Sequence, residues 1–201
     1  AYLVGPQPGE TVLDACAGSG GKTTHLAALM ENRGRIVAMD RDANKIDRLR
    51  KDARRLGVSI AETVAADLAK PLSSEWREKF DRILVDAPCS GTGTLRRNPD
   101  IKWRLAGTDP DLLAEIQLAI LHNAQAAVRR GGCLVYCTCS LLACENDGVI
   151  RRFLKDHPQF SVKPPSASIP QVLQDSRGFF RTYPHRHAQD GFFGVALLRR
   201  I

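Results

Sequence analysis

No stretch of the chain approaches the ~20 consecutive apolar residues of a membrane-spanning helix. Its first residues, Ala1-Tyr2-Leu3-Val4-Gly5-Pro6, lack the basic start and long apolar run of a secretory leader. Both absences favour a soluble, cytoplasmic protein with no membrane partner. There is no Cys-x-x-Cys pair, and His185 and His187 flank an arginine in a loop-like stretch, so structural zinc is disfavoured and no metal is expected. Neither an internal repeat nor a low-complexity segment is present, which argues against a solenoid or a disordered tail. The six cysteines make a poor disulfide framework, because most fall inside or beside predicted strands of a chain long enough to fold without staples. Reduced thiols are expected, with a Cys137-Thr138-Cys139 redox pair as a weaker alternative.

What is present fits one domain over residues 1–201: a chain of this length, 43% apolar, buries roughly 70% of the surface its unfolded form exposes. A monomer is expected. The formal net charge of +7 favours a polyanionic partner through phosphate neutralisation and counterion release, although a merely solvated basic surface accounts for it equally well.

Periodicity gives a strand-then-helix rhythm. Thr11-Val12-Leu13-Asp14 reads as a strand, followed by a glycine-rich turn and a helix from about Thr23 to Glu31. Arg35 to Met39 forms a second strand ending at Asp40, and Ala43 to Leu56 a helix stopped by Gly57. Weaker strand Ala61 to Ala65 runs to Asp67, and strand Arg82 to Val85 runs to Asp86. A long helix, Leu112 to Arg129, is closed by Gly131-Gly132; strand Leu134 to Cys137 ends at Thr138-Cys139. Helix Asn146 to Lys155, a proline-rich stretch around Pro164, Pro165 and Pro170, and a last strand, Phe192 to Leu198, complete the chain. The alternation predicts an α/β fold, a mostly parallel sheet with helices on both faces.

In such sheets ligands bind beyond the carboxyl ends of the strands. Cys16 to Lys22, Asp40, Asp67, the group Asp86, Pro88 and Cys89, and Cys139 follow five different strands and converge on that rim. Three nucleotide motifs compete for the first turn. A phosphate-binding P-loop needs glycine where Cys16 stands, and a dinucleotide fingerprint needs a small residue where Thr23 stands. An adenosine ligand such as S-adenosylmethionine fits better, since Asp40 supplies a carboxylate acceptor for ribose hydroxyls; a plain structural turn is the remaining alternative.

An arbitrary cysteine is usually a small buried residue, which is the reading given to Cys133 and Cys137 inside their strand. Cys89 and Cys139 lie past strand ends instead. If their strands are neighbours, ~4.8 Å apart, both thiols reach one small substrate. Leu95 to Arg104 sets four basic residues around Trp103, a pattern for phosphate contacts and base stacking or simply an exposed basic loop. His25, His122 and His157 read as surface or helix residues.

These segments carry a resemblance. Asp14 to Thr23, Asp86-Ala87-Pro88-Cys89-Ser90-Gly91-Thr92-Gly93, Arg96 to Trp103, Tyr136-Cys137-Thr138-Cys139-Ser140, Glu145-Asn146 and Asp190-Gly191-Phe192-Phe193 resemble the Sun/Fmu family of bacterial ribosomal RNA cytosine-5 methyltransferases, over nearly the whole chain. The family usually has Ala-Pro where this chain has Gly18-Ser19, a departure that keeps the turn small. The resemblance implies a Rossmann-like class I methyltransferase fold with a seven-stranded sheet, S-adenosylmethionine as cofactor and RNA, most simply ribosomal RNA, as partner. It also implies that the chain is the C-terminal catalytic part of a longer protein.

It further implies that Cys16, Ala17, Gly18, Ser19, Gly20, Gly21 and Lys22 wrap the methionine end of the cofactor, that Asp40 holds the ribose and that Asp67 lies near the adenine. Asp86 borders both cofactor and base, Cys139 attacks, and Cys89 assists release. The chemistry accounts for two thiols: cytosine carbon 5 becomes nucleophilic only after a thiolate adds to carbon 6, and the carbon 5 proton must later leave. A transfer RNA or DNA cytosine methyltransferase, the latter attacking through Cys89, and a non-catalytic RNA-binding module are the competing readings.

Overall fold

The computed structural model describes all residues except 106, 108 and 165–168, and the backbone alone at Arg104. Pro165 of the proline-rich stretch and the side chain of Arg104 in the basic segment therefore lie outside the described residues. The strands are β1 Thr11–Asp14, β2 Arg35–Asp40, β3 Ala61–Ala65, β4 Phe80–Asp86, β5 Val128–Thr138, β6 Phe160–Lys163, β7 Phe180–Thr182 and β8 Phe192–Arg199. The helices are α1 Gly21–Leu29, α2 Ala43–Arg55, α3 Ile101–Leu105, α4 Pro110–Ala124, α5 Val149–Asp156 and α6 Pro184–His187. Among the described residues no helix is long and apolar enough to cross a membrane.

All the strands join one sheet in the order β3-β2-β1-β4-β5-β8-β6, the seven-strand path of a Rossmann-like methyltransferase sheet. Pairings from β3 through β5 are parallel, whereas β8 runs antiparallel to its neighbours. An eighth strand, β7, adds to the outer edge of β8: Ala196–Arg199 pairs with β6, and Phe192–Gly194 pairs with β7.

The central strands are buried on both faces, so they read as apolar runs rather than alternations. Successive side chains still point to opposite faces. Val12, Ile36, Leu84 and Val135 pack with Leu26 and Met30 from the α1 side. Leu13, Val37, Ile83 and Leu134 pack with Leu118 and Leu121 of α4 and Phe153 of α5. Full burial of each such side chain contributes roughly 1.5–3 kcal/mol.

Three boundaries differ from the sequence expectation. Helix α4 ends at Ala124 rather than Arg129, and the chain is already a strand at Val128. Gly131 and Gly132 form a bulge inside β5 instead of closing a helix: the register jumps between Phe80↔Val128 and Arg82↔Cys133. A Cβ on Gly132 would come within 2.9 Å of the Asp81 carbonyl oxygen, so only glycine fits there. The helix expected from Asn146 begins instead as a π turn, Cys144–Gly148, followed by α5.

The direction of chain travel reverses at β1, which lies between β2 and β4. That switch point opens a crevice at the carboxyl ends of the strands.

Candidate functional site

The crevice is lined by Cys16 and Gly18 beyond β1, Asp40 at the end of β2, Asp67 beyond β3 and Asp86 at the end of β4, with Ile116 and Ile120 of α4 as an apolar wall. Apposition of the β1 and β2 ends comes from backbone pairing, since Ala17 donates its N–H to the Met39 carbonyl at 2.9 Å. Asp40 Oδ2 accepts from the Gly18 N–H at 2.8 Å, and its Oδ1 accepts from the Asp42 N–H at 2.9 Å. One lone pair per oxygen remains for a ligand hydroxyl. Asp67 Oδ1 accepts from the Ala69 N–H at 3.0 Å, which fixes the next loop.

Residues of the glycine turn divide their work. Cys16 and Gly18 face the crevice, while Ala17 packs away from it against Ala38 and Leu49. Ser19 is exposed. Gly20 caps α1 at φ +93°, and a Cβ there would stand 2.6 Å from Leu49 Cγ, so the turn and α2 approach only through glycine. Gly21 opens α1, and Lys22 in its first turn reaches Asp86, Nζ to Oδ2 at 2.5 Å. Beneath them Asp14 is fully buried, held by the Thr23 hydroxyl at 2.7 Å, and burial pushes its carboxyl up to about 6. Burial likewise pushes the Cys16 thiol up.

Neighbouring strands β4 and β5 deliver two thiols to one place. Cys89 Sγ and Cys139 Sγ are 3.3 Å apart. The Ala87 N–H donates to the Cys137 carbonyl and the Gly93 N–H to the Cys139 carbonyl, each at 2.9 Å, so the two loops are stitched together along their backbones. The pair divides its protons unequally. Cys139 lies below the usual thiol range, chiefly because it accepts a hydrogen bond from Cys89, which outweighs the opposing effects of burial and of Asp86; Cys89 is driven up by that bond, by burial and by the charge on Cys139. Of the two, Cys139 is therefore the sulfur that gives up its proton more readily.

Cys137 packs as expected beside the α1-side core, but its thiol also donates to Asp86 Oδ1 at 3.3 Å. Asp86 is thus clamped between a thiol and an ammonium. Cys133 is a core residue, and Cys144 begins the π turn.

Sequence reasoning assigned no role to Glu145. It is fully buried, and its carboxylate accepts from Ser90, Gln117 and Ser140, the serines following Cys89 and Cys139. The resemblance singled out Glu145-Asn146 but gave the pair no task.

The basic segment follows the Cys89 loop in the chain. Exposed residues 95–100 lead into α3, where Trp103 is 72% exposed with Lys102 Nζ 4.9 Å from its ring centre. Arg97 pairs with the nearly buried carboxylate of Asp190, just before β8. Among the described residues no cluster of His, Cys, Asp or Glu is arranged to hold a metal. His25 stacks edge-on with Tyr2, and His122 Nδ1 is 2.6 Å from His157 Nε2, both away from the crevice.

Residues 1–199 match the family described as 16S rRNA methyltransferase RsmB/F. A probable ribosomal RNA small subunit methyltransferase B of Bacillus subtilis is 43% identical over the whole of this chain and 45% of that protein. One from Synechocystis is 42% identical with the same coverage. The chain thus spans about half the length of the curated relatives it matches. Among solved structures, NSun6 from Pyrococcus horikoshii with SFG superposes with a TM-score of 0.84 at 32% identity, over 98% of this chain and 50% of the other. A methyltransferase homolog from the same organism superposes with a TM-score of 0.76 at 33% identity, over 98% and 63% respectively.

Proposed function

Since the chain belongs to the 16S rRNA methyltransferase RsmB/F family, we propose that it methylates carbon 5 of a cytosine in small-subunit ribosomal RNA, in the cytoplasm, through a covalent adduct at Cys139. The observation that carries this reading is the pair of thiols 3.3 Å apart at the mouth of a crevice suited to S-adenosylmethionine. That cofactor fits the residues present: Asp40 for the ribose hydroxyls, Asp67 and the Ile116–Ile120 wall for the adenine, and the Cys16–Gly18 turn for the methionine end. When bound, it supplies an electrophilic methyl group on a sulfonium.

The chain's own residues do the rest. Cys139 thiolate adds to carbon 6 of cytosine, and the ring electrons move toward carbon 5 and nitrogen 3. The Lys22 ammonium, held against Asp86, gives a proton to nitrogen 3 as that charge develops. Once Cys139 is a neutral thioether, the hydrogen bond and the negative charge that raised Cys89 are gone, and burial is left as the cause that still favours its protonated form. Cys89 then gives its proton to solvent and takes the proton from carbon 5 after methylation. The carbon 6–sulfur bond breaks, nitrogen 3 returns its proton to the Lys22–Asp86 pair, and the resting thiol pair is restored with one net proton released. Trp103, Lys102 and Arg96 offer the stacking and phosphate contacts that place single-stranded RNA at this mouth.

Labelled-methyl transfer tests the reading. Cys139→Ala is expected to abolish transfer, and Cys89→Ala to accumulate an RNA adduct that survives denaturation. Substantial transfer by Cys139→Ala would remove that sulfur from the nucleophile role. Parallel assays on ribosomal RNA, transfer RNA and duplex DNA separate the substrate classes.

A further inference from the structure

The π turn Cys144–Gly148 closes with the Gly148 N–H donating to the Ala143 carbonyl at 2.8 Å. Such single-turn π segments recur at functional sites, because the extra residue re-aims a side chain. Here it carries Glu145 inward, between the loops that follow β4 and β5, where no water reaches it.

All four acceptor positions of the carboxylate are filled. Oε1 takes the Ser90 N–H at 2.8 Å and Gln117 Nε2 at 2.9 Å; Oε2 takes the Ser90 hydroxyl at 2.5 Å and the Ser140 hydroxyl. Gln117 is itself fixed, since its second amide hydrogen goes to the Pro88 carbonyl at 2.9 Å and its oxygen lies 2.9 Å from the Tyr136 hydroxyl. Pro88 and Ser90 bracket Cys89, and Ser140 follows Cys139. Four donors on one buried carboxylate are the arrangement that holds an ionised group out of water, and every donor but Gln117 belongs to a residue adjoining a thiol.

We propose that Glu145 is a positioning residue that sets the distance between Cys89 and Cys139. It does so as a four-way acceptor shared by the two loops, and it acts through Ser90, Ser140 and the Gln117–Pro88 contact without touching the base. Its catalytic consequence rests on the two-thiol reading above; its geometric consequence does not. A glutamine of the same shape does not reproduce it: turned one way its NH2 faces the Ser90 N–H and the Gln117 NH2, and turned the other way it forces both serine hydroxyls to accept instead of donate.

The test compares Glu145→Gln with the unsubstituted chain by three measurements. The first is the rate of Cys89–Cys139 disulfide formation with diamide, which takes up the two electrons and two protons that the thiols lose, followed by peptide mass mapping. The second is S-adenosylmethionine affinity; the third is kcat and KM for RNA methylation. Disulfide formation is expected to slow at least about tenfold and kcat to fall about a hundredfold, with cofactor affinity within about twofold and the RNA KM nearly unchanged. Ser140→Ala, which removes one of the four donors, is expected to lie between the two.

Disulfide formation in Glu145→Gln at the unsubstituted rate would overturn the proposal. So would loss of cofactor binding together with thiol proximity, since the carboxylate would then be holding the whole fold. If the unsubstituted chain methylates no RNA while Glu145→Gln still slows the disulfide, the positioning role stands and the proposed reaction falls.

Discussion

The two halves of the rim are built by opposite means. On the β1–β3 side, the crevice is made from shorter-range pieces: a glycine turn within ten residues of its strand, and aspartates at or just past their strand ends, set by the backbone N–H two residues on and, for Asp40, also by that of Gly18, 22 residues back. On the β4–β5 side, the thiols are brought together by contacts that jump 50 residues along the chain, Cys89 to Cys139, and 55 residues, Ser90 to Glu145. The first half depends on local backbone conformation. The second depends on the sheet being correctly assembled, and its precision comes from buried polar groups that lose most when one partner is removed.

This contrast predicts that damage on one side leaves the other intact. Cys139→Ala gives the largest effect, a fall in methyl transfer of at least about a thousandfold, while S-adenosylmethionine affinity, measured by titration, is unchanged. Next comes Asp14, beneath both halves. Its carboxyl lies at about 6 when folded against 3.8, so the folded state binds the extra proton between those values and stability falls as pH rises from 4 to 6, levelling above 6. That loss is of the order of 3 kcal/mol, and the difference in melting temperature between Asp14→Asn and the parent chain should grow across that window. A difference independent of pH would contradict it.

Asp40→Ala is a smaller perturbation confined to the first half: cofactor affinity weakens by about 2 kcal/mol, roughly thirtyfold, with the Cys89–Cys139 disulfide forming at its normal rate. The smallest is a shift of titration. Iodoacetamide labelling of Cys139 should show a midpoint below the ordinary thiol value, and Cys89→Ala should move it upward, because the hydrogen bond from Cys89 is the main cause of the lowering. A downward or absent shift would break the assignment of acceptor and donor within the pair.

The same contrast decides what was legible in the sequence. Strand ends at Asp14, Asp40, Asp67, Asp86 and Cys139 stand out because doubly buried parallel strands are plain apolar runs with one conspicuous residue after them. The mostly parallel sheet and its helical cover follow from the alternation; the order of the strands does not. The start of β5 does not, because Ala124 to Val128 continues an apolar helical pattern and Gly131-Gly132 looks like a helix stop, although the glycines serve a bulge against Asp81. Strands β6 and β7, four and three residues long, owe their conformation to β8 rather than to their own propensity. Glu145 and the second task of Cys137 were hidden for the reason that separates the halves: their partners lie far away in the chain, and no spacing rule reports them.

The placement of β8 has a consequence for synthesis. It follows β6 and β7 in the chain yet lies between β5 and β6, so a ribosome making this protein releases β5 with its outer edge unpaired and β6 with no neighbour at all. Both wait for residues 192–199, and the wait exposes a hydrogen-bonding edge that invites association with other chains. Because the Gly191 N–H donates to the Gly93 carbonyl and the Gly93 N–H to that of Cys139, arrival of this strand is also the event that latches the Cys139 loop, tying the pairing of the two thiol-bearing loops to the emergence of residues 192–199.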